Sequence, residues 1–456
     1  MEKRISVFVR VKPVDGVQQW EVDPSHTEIN SLDKKDKFRF DHIFGRTSTQ
    51  YEVYGRIQPI VESFLLGYNG IIMAYGQTGS GKTFTTFGNT NNPGIVRQAA
   101  GEIFERIQQD SSKSYSIRVS YLEIYNEELK DLINENNKPK VRENAEGFFV
   151  SNLDERNVKN QEELMHELNL GDEIRHTRAT AMNSLSSRSH ALFRITLITE
   201  SQVKQSEEDG KTSLMQKDEQ QNSTIKTKSI LYFVDLAGSE RLSQTKAEGE
   251  AQKEGCNINL SLLTLRKVIQ ALSINSQKDG RIENNGINSG ESQTTKQSHI
   301  NYRDSKLTMV LKENLQGNSQ TAIIVTINPL ELYTETTKGS LQFAETAQHV
   351  RTIVRINEII DDKRRIEDLL QECKRLRRLL DQVKSVDNIQ QGLLIQSQNY
   401  GNGQQSFGIP GQRNTFGIGI LNIPKKRKVS IYGNGNIQDN EDEGFNRPPK
   451  PTNAQM

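Results

Sequence analysis

Apolar residues along the chain follow two rhythms, and their alternation predicts the fold. From Ile5 to Val11 the pattern is that of a β-branched strand, and it stops at Pro13, which has no N–H to give a sheet ladder. Between Thr49 and Leu66 the spacing changes: Val53, Ile57, Ile60, Val61 and Leu65 mark one face of a helix. That helix leads into Gly70-Ile71-Ile72-Met73-Ala74-Tyr75, an apolar run bounded by glycines that reads as a buried strand. Ser116 to Tyr125 and Ile230 to Leu236 are further strand candidates, the second almost continuously apolar, as in a central sheet. The prediction is a three-layer α/β domain: a central mostly parallel sheet, helices on both faces, and a ligand at the carboxyl ends of the strands.

Two polar stretches break the rhythm. Ser201 to Lys228 is rich in Gln, Glu, Lys and Ser, and Asn275 to Gln297 in Asn, Gly, Ser and Gln. Neither can bury enough surface to fold alone, so both are expected to be expanded surface loops. Past Asp361, the residues Ile366, Leu369, Cys373, Leu376, Leu380 and Val383 step alternately by three and four, the seam of a short coiled coil over 362–386. A helix this short is marginal alone. Two readings stay open: a homodimer through 366–383, or a helix packed back on its own domain. From 387 to 456 Gln, Asn and Gly predominate, and a disordered tail is expected. It contains Pro424-Lys425-Lys426-Arg427-Lys428-Val429, a basic run that is either a nuclear import signal or a solvated charge cluster.

Composition narrows the class. Of 456 residues 33% are hydrophobic, which suits one large core domain with polar insertions better than two globular domains. Lys and Arg number 59 against 58 Asp and Glu, so the net charge of +1 gives no overall field that favours nucleic acid. Cys256 and Cys373 lie far apart, and no Cys/His cluster has ligand spacing, as expected of a reduced intracellular protein without structural zinc. No apolar run approaches a membrane span, and Met1-Glu2-Lys3-Arg4 leads into a strand without a signal-peptide core. A soluble protein with no membrane partner is expected.

The strand at 70–75 runs into Gly76-Gln77-Thr78-Gly79-Ser80-Gly81-Lys82-Thr83, the Gly-x-x-x-x-Gly-Lys-Thr spacing of a phosphate-binding loop. Glycines let backbone N–H groups turn toward phosphates, the following helix adds its positive end, and Lys82 adds a full charge. The Thr83 hydroxyl is placed to meet a magnesium ion. A strand before the loop and a helical pattern after it argue against a turn that binds nothing. Hydrolysis also needs groups that hold water and sense the γ-phosphate. Asn183-Ser184-Leu185-Ser186-Ser187-Arg188-Ser189-His190 gathers hydroxyls around one guanidinium, and Asp235-Leu236-Ala237-Gly238-Ser239-Glu240 ends a buried strand with two acids around a glycine. Asp235 can hold magnesium through water, the Gly238 N–H can reach a γ-phosphate, and Arg188 and Glu240 can close a gate over it.

These segments resemble the kinesin motor domain. Gly67-Tyr68-Asn69-Gly70 ahead of the loop, the two switch segments and Tyr302-Arg303-Asp304-Ser305-Lys306-Leu307-Thr308 follow its patterns in family order, from about Ile5 to Asn357. Arg118 to Glu127, Ile300 to Arg303 and Leu341 to Ala344 look most similar to the centromere-protein-E class. The resemblance implies a P-loop NTPase motor domain over 1–352 with ATP and Mg2+ as its ligands. It implies that Arg10, Pro13 and Tyr68 border the adenine, that Gly76 to Thr83 hold the phosphates, and that Thr83 and Ser187 ligate magnesium. Arg188 and Glu240 would form the gate ion pair, Glu240 would relay a proton from the attacking water, and Asn259 would help hold that water. Lys12 stands where the family usually has a second arginine and keeps its charge.

The same resemblance implies microtubules as the partner. Their acidic surface asks for basic groups on the helix from about Gly255 to Ser273 and the helix from Ser305, with Arg266, Lys267, Tyr302, Arg303 and Lys306 as expected contacts. Leu260 and Met309 replace customary basic residues and Lys246 a customary glycine, so weaker or more salt-sensitive binding is expected. Ile353 to Asp361 is similar to the neck linker, with Asn357 as its latch, and only Met1 to Arg4 precede the first strand to clamp it. The expected function is a microtubule-stimulated ATPase motor moving toward the plus end, in the cytoplasm on the cytoskeleton, with the nucleus or spindle as further locations. The alternative is a nucleotide-binding microtubule-associated protein with little motility. A regulatory GTPase is disfavoured because no Asn-Lys-x-Asp segment occurs.

Overall fold

The computed structural model describes residues 2–145, 147–181, 187–202, 224–240, 250–284, 300–359, 370 and 372–380. In chain order they form β1 (Glu2–Arg4), β2 (Ser6–Val11), β3 (Trp20–Val22), β4 (Glu28–Ser31), β5 (Lys37–Arg39), β6 (His42–Phe44), α1 (Gln50–Leu65), β7 (Asn69–Gly76), α2 (Lys82–Thr86) and α3 (Ile95–Gln109). There follow β8 (Lys113–Tyr125), β9 (Glu128–Asp131), β10 (Lys140–Asn144), β11 (Gly147–Ser151), β12 (Arg156–Val158), α4 (Gln161–Ala181), β13 (Ser189–Gln202) and β14 (Thr224–Asp235). Then come α5 (Glu250–Asn284), α6 (Lys306–Gln316), β15 (Ser319–Ile327), α7 (Thr334–Ala347), β16 (Arg351–Ile353) and β17 (Glu358–Ile359).

The main sheet has the order β12-β8-β13-β14-β7-β15-β2-β6. It is mixed: β14, β7, β15, β2 and β6 run parallel, whereas β12, β8, β13 and β14 pair antiparallel. β7 lies inside the parallel half and alternates as a central strand must, with Ile71, Met73 and Tyr75 in the core on one face and Ile72 in the core on the other. The first face packs on Leu262, Leu265 and Ile269 of α5, Leu311 of α6 and Phe343 of α7. The second packs on Val53, Ile57 and Val61 of α1, Ile103 of α3 and Leu164 of α4. Each such side chain contributes about 1.5–3 kcal/mol on full burial.

Helix α1 starts where Thr49 expects it to. The Thr49 hydroxyl accepts the Glu52 N–H at 3.2 Å, and the Glu52 carboxylate accepts the Thr49 N–H at 2.6 Å, a reciprocal cap. The turn after it passes through Gly67 at φ 95°, a conformation that glycine adopts without strain.

Both expected loops are narrower than their composition suggests. β13 continues to Gln202 and β14 begins at Thr224, because Thr196–Gln202 and Thr224–Ile230 form a continuous antiparallel ladder whose backbone bonds tolerate polar side chains. α5 likewise runs through the polar residues 275–284, where Gln, Lys, Arg and Glu are adequate helix formers. Residues 203–223, 285–299 and 381–456 lie outside the described residues, as do Lys246, Ile366, Leu369, Val383 and the basic run. Residues 372–380 are helical, with Cys373, Leu376 and Leu380 exposed. Among the described residues no helix is long and apolar enough to cross a membrane.

Candidate nucleotide site

The phosphate loop leaves the carboxyl end of β7 and is shaped by its neighbour β15. At Gly76, φ is 147°, and a Cβ there would overlap the Thr326 carbonyl oxygen. The Ser80 hydroxyl donates to the Gln77 carbonyl at 2.8 Å and meets the Thr326 hydroxyl at 2.6 Å. Gly79 and Gly81, at φ 72° and 105°, have left-handed backbone that glycine adopts without strain, with no atom within 4 Å of where a Cβ would stand. The buried Lys82 donates from Nζ to the carbonyls of Gly76 at 2.9 Å and Gln77 at 2.8 Å. Burial pulls its pKa down, while Asp235 and Glu240 push it up. Lys12 donates to the Gly79 carbonyl at 2.8 Å, so its charge lies against the loop.

Asp235, at the end of β14, collects donors on one oxygen only. Its Oδ2 accepts from the Thr83 hydroxyl at 2.7 Å and from Arg175 at 3.0 Å; its buried Oδ1 has no hydrogen-bond partner among the described residues. An orphan carboxylate oxygen beside the Thr83 hydroxyl, with Ser187 lining the same cavity, fits a water-coordinated Mg2+. Among the described residues no cluster of three or more His, Cys, Asp and Glu could hold a metal ion, so hydroxyls and substrate phosphate would supply the other ligands.

The two switches are tied to each other and to the loop. Gly238 N–H donates to the Ser187 carbonyl at 2.9 Å, and Ser239 N–H donates to the Gly76 carbonyl at 3.0 Å. Glu240 accepts the Thr78 N–H at 2.9 Å and the Thr78 hydroxyl. Its carboxylate is thus directed to the phosphate loop, where the sequence suggested Arg188. His190, buried at the start of β13, accepts the Ala237 N–H on Nδ1 at 3.0 Å. Nε2 therefore carries the proton, which it gives to Ser261 of α5 at 2.7 Å. Asn259 lies on α5, and its side chain is outside the described residues.

The mouth of the site is a cavity of about 740 Å³ lined by Arg10, Pro13, Arg46, Phe84, the phosphate loop and Ser187. Arg10 donates to Gln50 at 2.6 Å and Thr85 at 2.9 Å, its guanidinium lies 5.3 Å from the Phe84 ring centroid, and burial lowers its pKa to about 10. Tyr68, expected beside the adenine, is elsewhere. It precedes β7, whose eight residues separate it from the loop by roughly 26 Å of strand, and its backbone bridges Ile356. The aromatic ring that does line the cavity is Phe84.

That far end of β7 holds the segment expected to be the linker. Asn357 donates to the Gly67 carbonyl from its backbone N–H at 3.0 Å and from its amide at 3.3 Å. Asn318 donates to the Asn357 side-chain oxygen at 2.7 Å, and Glu358 and Ile359 pair with Thr227 and Lys226 of β14. β1 pairs with β16, ahead of this segment.

The expected basic face is rearranged. Arg266 turns inward to the Tyr75 hydroxyl, because its position lies between the buried Leu262 and Ile269 of α5. Tyr302 is also buried, at 5% exposure. Lys267 and Arg303 remain exposed, Arg303 pairing with Glu143. Lys306 joins Lys130, Lys138 and Lys140 along a second cleft of about 610 Å³. Leu260 and Leu263 are exposed on α5, and Met309 is half-buried.

Arg175 and Thr326 escaped the sequence reading. Arg175 follows Leu164, Leu168 and Gly171 on the buried stripe of α4, and a charge on such a stripe is the signal that could have found it. Burial opposes its charge, but Asp235 and Glu123 hold its pKa above the ordinary arginine value.

A phosphate loop between parallel strands, with Ser239 and Glu240 hydrogen-bonded to it and Gly238 bonded to Ser187 of the other segment, defines the fold of a P-loop nucleoside triphosphatase. The kinesin motor-domain family matches residues 3–350, and the chain belongs to that family. It is 37% identical over 422 residues to Kinesin-related protein 4 of Dictyostelium discoideum, which covers 89% of this chain and 20% of that protein. It is 36% identical over 396 residues to Centromere-associated protein E of Homo sapiens, covering 84% of this chain and 13% of the relative. The chain thus spans only a minor part of these relatives' length. A solved KIF14 dimer, bound to a microtubule with AMP-PNP, superposes with a TM-score of 0.67 at 32% identity, over 80% of this chain and 98% of that one.

Proposed function

We propose that the chain is an ATP-driven microtubule motor in which hydrolysis is stimulated by the track and coupled to docking of the linker at 353–361. The observation that carries this reading is that β7 holds the phosphate loop at one end, while Gly67, just ahead of its other end, grips Asn357. A nucleotide-dependent shift of that strand would reach the linker directly.

In this reading Lys82 and the N–H groups from Gly79 to Thr83 bind the phosphates of ATP, and Arg10, Pro13 and Phe84 border the base. Thr83, Ser187 and, through water, Asp235 would hold Mg2+, which when bound neutralises charge on the β- and γ-phosphates. Gly238 N–H gives up the Ser187 carbonyl for a γ-phosphate oxygen, which moves both switches together. Glu240 leaves Thr78 to pair with Arg188 and takes up the proton of the attacking water that Asn259 helps to position.

Plus-end direction, a homodimer through 366–383, residence on the cytoskeleton and passage to the nucleus or spindle belong to the same proposal. Steady-state ATPase with and without polymerised tubulin tests it, with stimulation of at least about tenfold expected. The apolar exposed face of α5, Leu260 and Leu263, favours one second reading: a nucleotide-binding microtubule-associated protein with little motility. ATP-sensitive binding to filaments without stimulated turnover would select it.

A further inference from the structure

Arg266 is one of two adjacent cations on α5, and only Lys267 remains on the surface. The Arg266 Nε donates to the Tyr75 hydroxyl at 2.8 Å, its guanidinium lies 5.7 Å from the Tyr75 ring centroid, and a terminal nitrogen reaches the Gly339 carbonyl of α7 at 3.4 Å. Tyr75 is completely buried and stacks on Phe343 at 4.1 Å. It is also the residue immediately before Gly76. The Tyr75 carbonyl accepts from Thr326, the Gly76 carbonyl accepts from Lys82, and both are fixed points of the phosphate loop. The neighbouring Ser239 of the second switch touches Ser340 of α7, one residue from Gly339. One guanidinium therefore joins the helix that presents Leu260, Leu263 and Lys267 outward to the strand residue just before Gly76.

We infer that Arg266 is a positioning strut: displacement of α5 by the filament is carried through the Arg266–Tyr75 bond into the phosphate loop and speeds product release. Packing alone would let α5 slide over the sheet, whereas a charge-assisted bond to a buried phenol resists sliding in one direction. The guanidinium, 5.7 Å from the ring centroid, adds a cation–π attraction. Lys at 266 could reach the hydroxyl as a single donor but would lose the second donor to Gly339. This inference rests on the reading of the chain as a track-stimulated ATPase.

The decisive variants are Tyr75→Phe, which keeps the ring stacked on Phe343 and removes the hydroxyl that meets both Arg266 and Ser239, and Arg266→Ala, which leaves the Ser239 contact in place; Arg266→Lys accompanies them. Tubulin-stimulated kcat, KM for tubulin, basal turnover and release of a fluorescent ADP are measured in the full chain. A strut predicts that stimulated kcat and filament-accelerated ADP release fall by at least about fivefold in Tyr75→Phe and Arg266→Ala. KM for tubulin and basal turnover stay within about twofold, and Arg266→Lys recovers part of the loss. Unchanged stimulation in Tyr75→Phe overturns the strut, and so does an equal fall of basal and stimulated rates. A raised KM with unchanged kcat in Arg266→Ala overturns it in favour of a direct filament contact. If Arg266→Ala fails to fold, Tyr75→Phe decides alone. Wild-type protein that tubulin does not stimulate removes the motor reading itself, a failure distinct from a stimulated wild type matched by its variants.

Discussion

His190 makes the fold acid-sensitive in a way that can be worked out. Its Nδ1 lone pair is occupied by the Ala237 N–H and its Nε2 proton by Ser261, so a second proton would have to displace the Ala237 bond inside the core. Burial, with Arg175 and Lys82 nearby, lowers its pKa to about 3, against about 6.5 in an unfolded chain. The folded value lies below the unfolded one, so between them the unfolded chain binds more protons and stability falls as pH falls. Linkage gives a loss of about 2 kcal/mol between about pH 7 and about pH 5 from this residue alone. His190→Asn keeps an acceptor for Ala237, loses Ser261 and cannot titrate. Urea unfolding at about pH 7 should find it less stable than wild type by about 1–3 kcal/mol, the cost of one lost buried bond. At about pH 5 that gap should shrink by about 2 kcal/mol. Parallel stability curves for the two proteins across this range would refute the reasoning.

Thr326→Val removes the hydroxyl that meets Ser80 and should weaken binding of a fluorescent ATP analogue by about threefold to tenfold, read by titration. Unchanged affinity would mean that β15 does not shape the loop. Asn357→Ala removes the amide that joins Gly67 and Asn318; filament gliding should slow several-fold while basal ATPase holds, and undiminished velocity would show that the latch is dispensable. Leu260→Lys places a cation on the exposed face of α5 and should tighten ATP-state co-sedimentation with microtubules while making it more sensitive to salt. Met309→Arg, starting from a half-buried side chain, should do less; equal effects would argue against the burial difference.

The phosphate loop, the helix from about Thr49 and the strand ending at Asp235 were legible because each is written in a local pattern of neighbouring residues. Asn357 stood out only through the family resemblance, and its bonds to Gly67 lie where that resemblance directs attention. Tyr68 misled because nearness in sequence to a loop is not nearness in space: a strand of eight residues carries its two ends apart. Arg266 and Tyr302 misled because residue type was read without helix phase. Position 266 leans toward the core between Leu262 and Ile269, and the Tyr302 ring packs beneath the start of α6. Thr326 and Arg175 act through partners 246 and 60 residues away, and no local pattern announces such pairings.

The ladder between Glu2–Arg4 and Arg351–Ile353 sets where a probe can be attached. A label ahead of Glu2 sits beside the start of the segment proposed as a linker, and a second near Ile359 would report the proposed docking as a change in energy transfer. If the segment from Ile353 docks as proposed, a bulky fusion ahead of Glu2 is a tag placement apt to interfere with it.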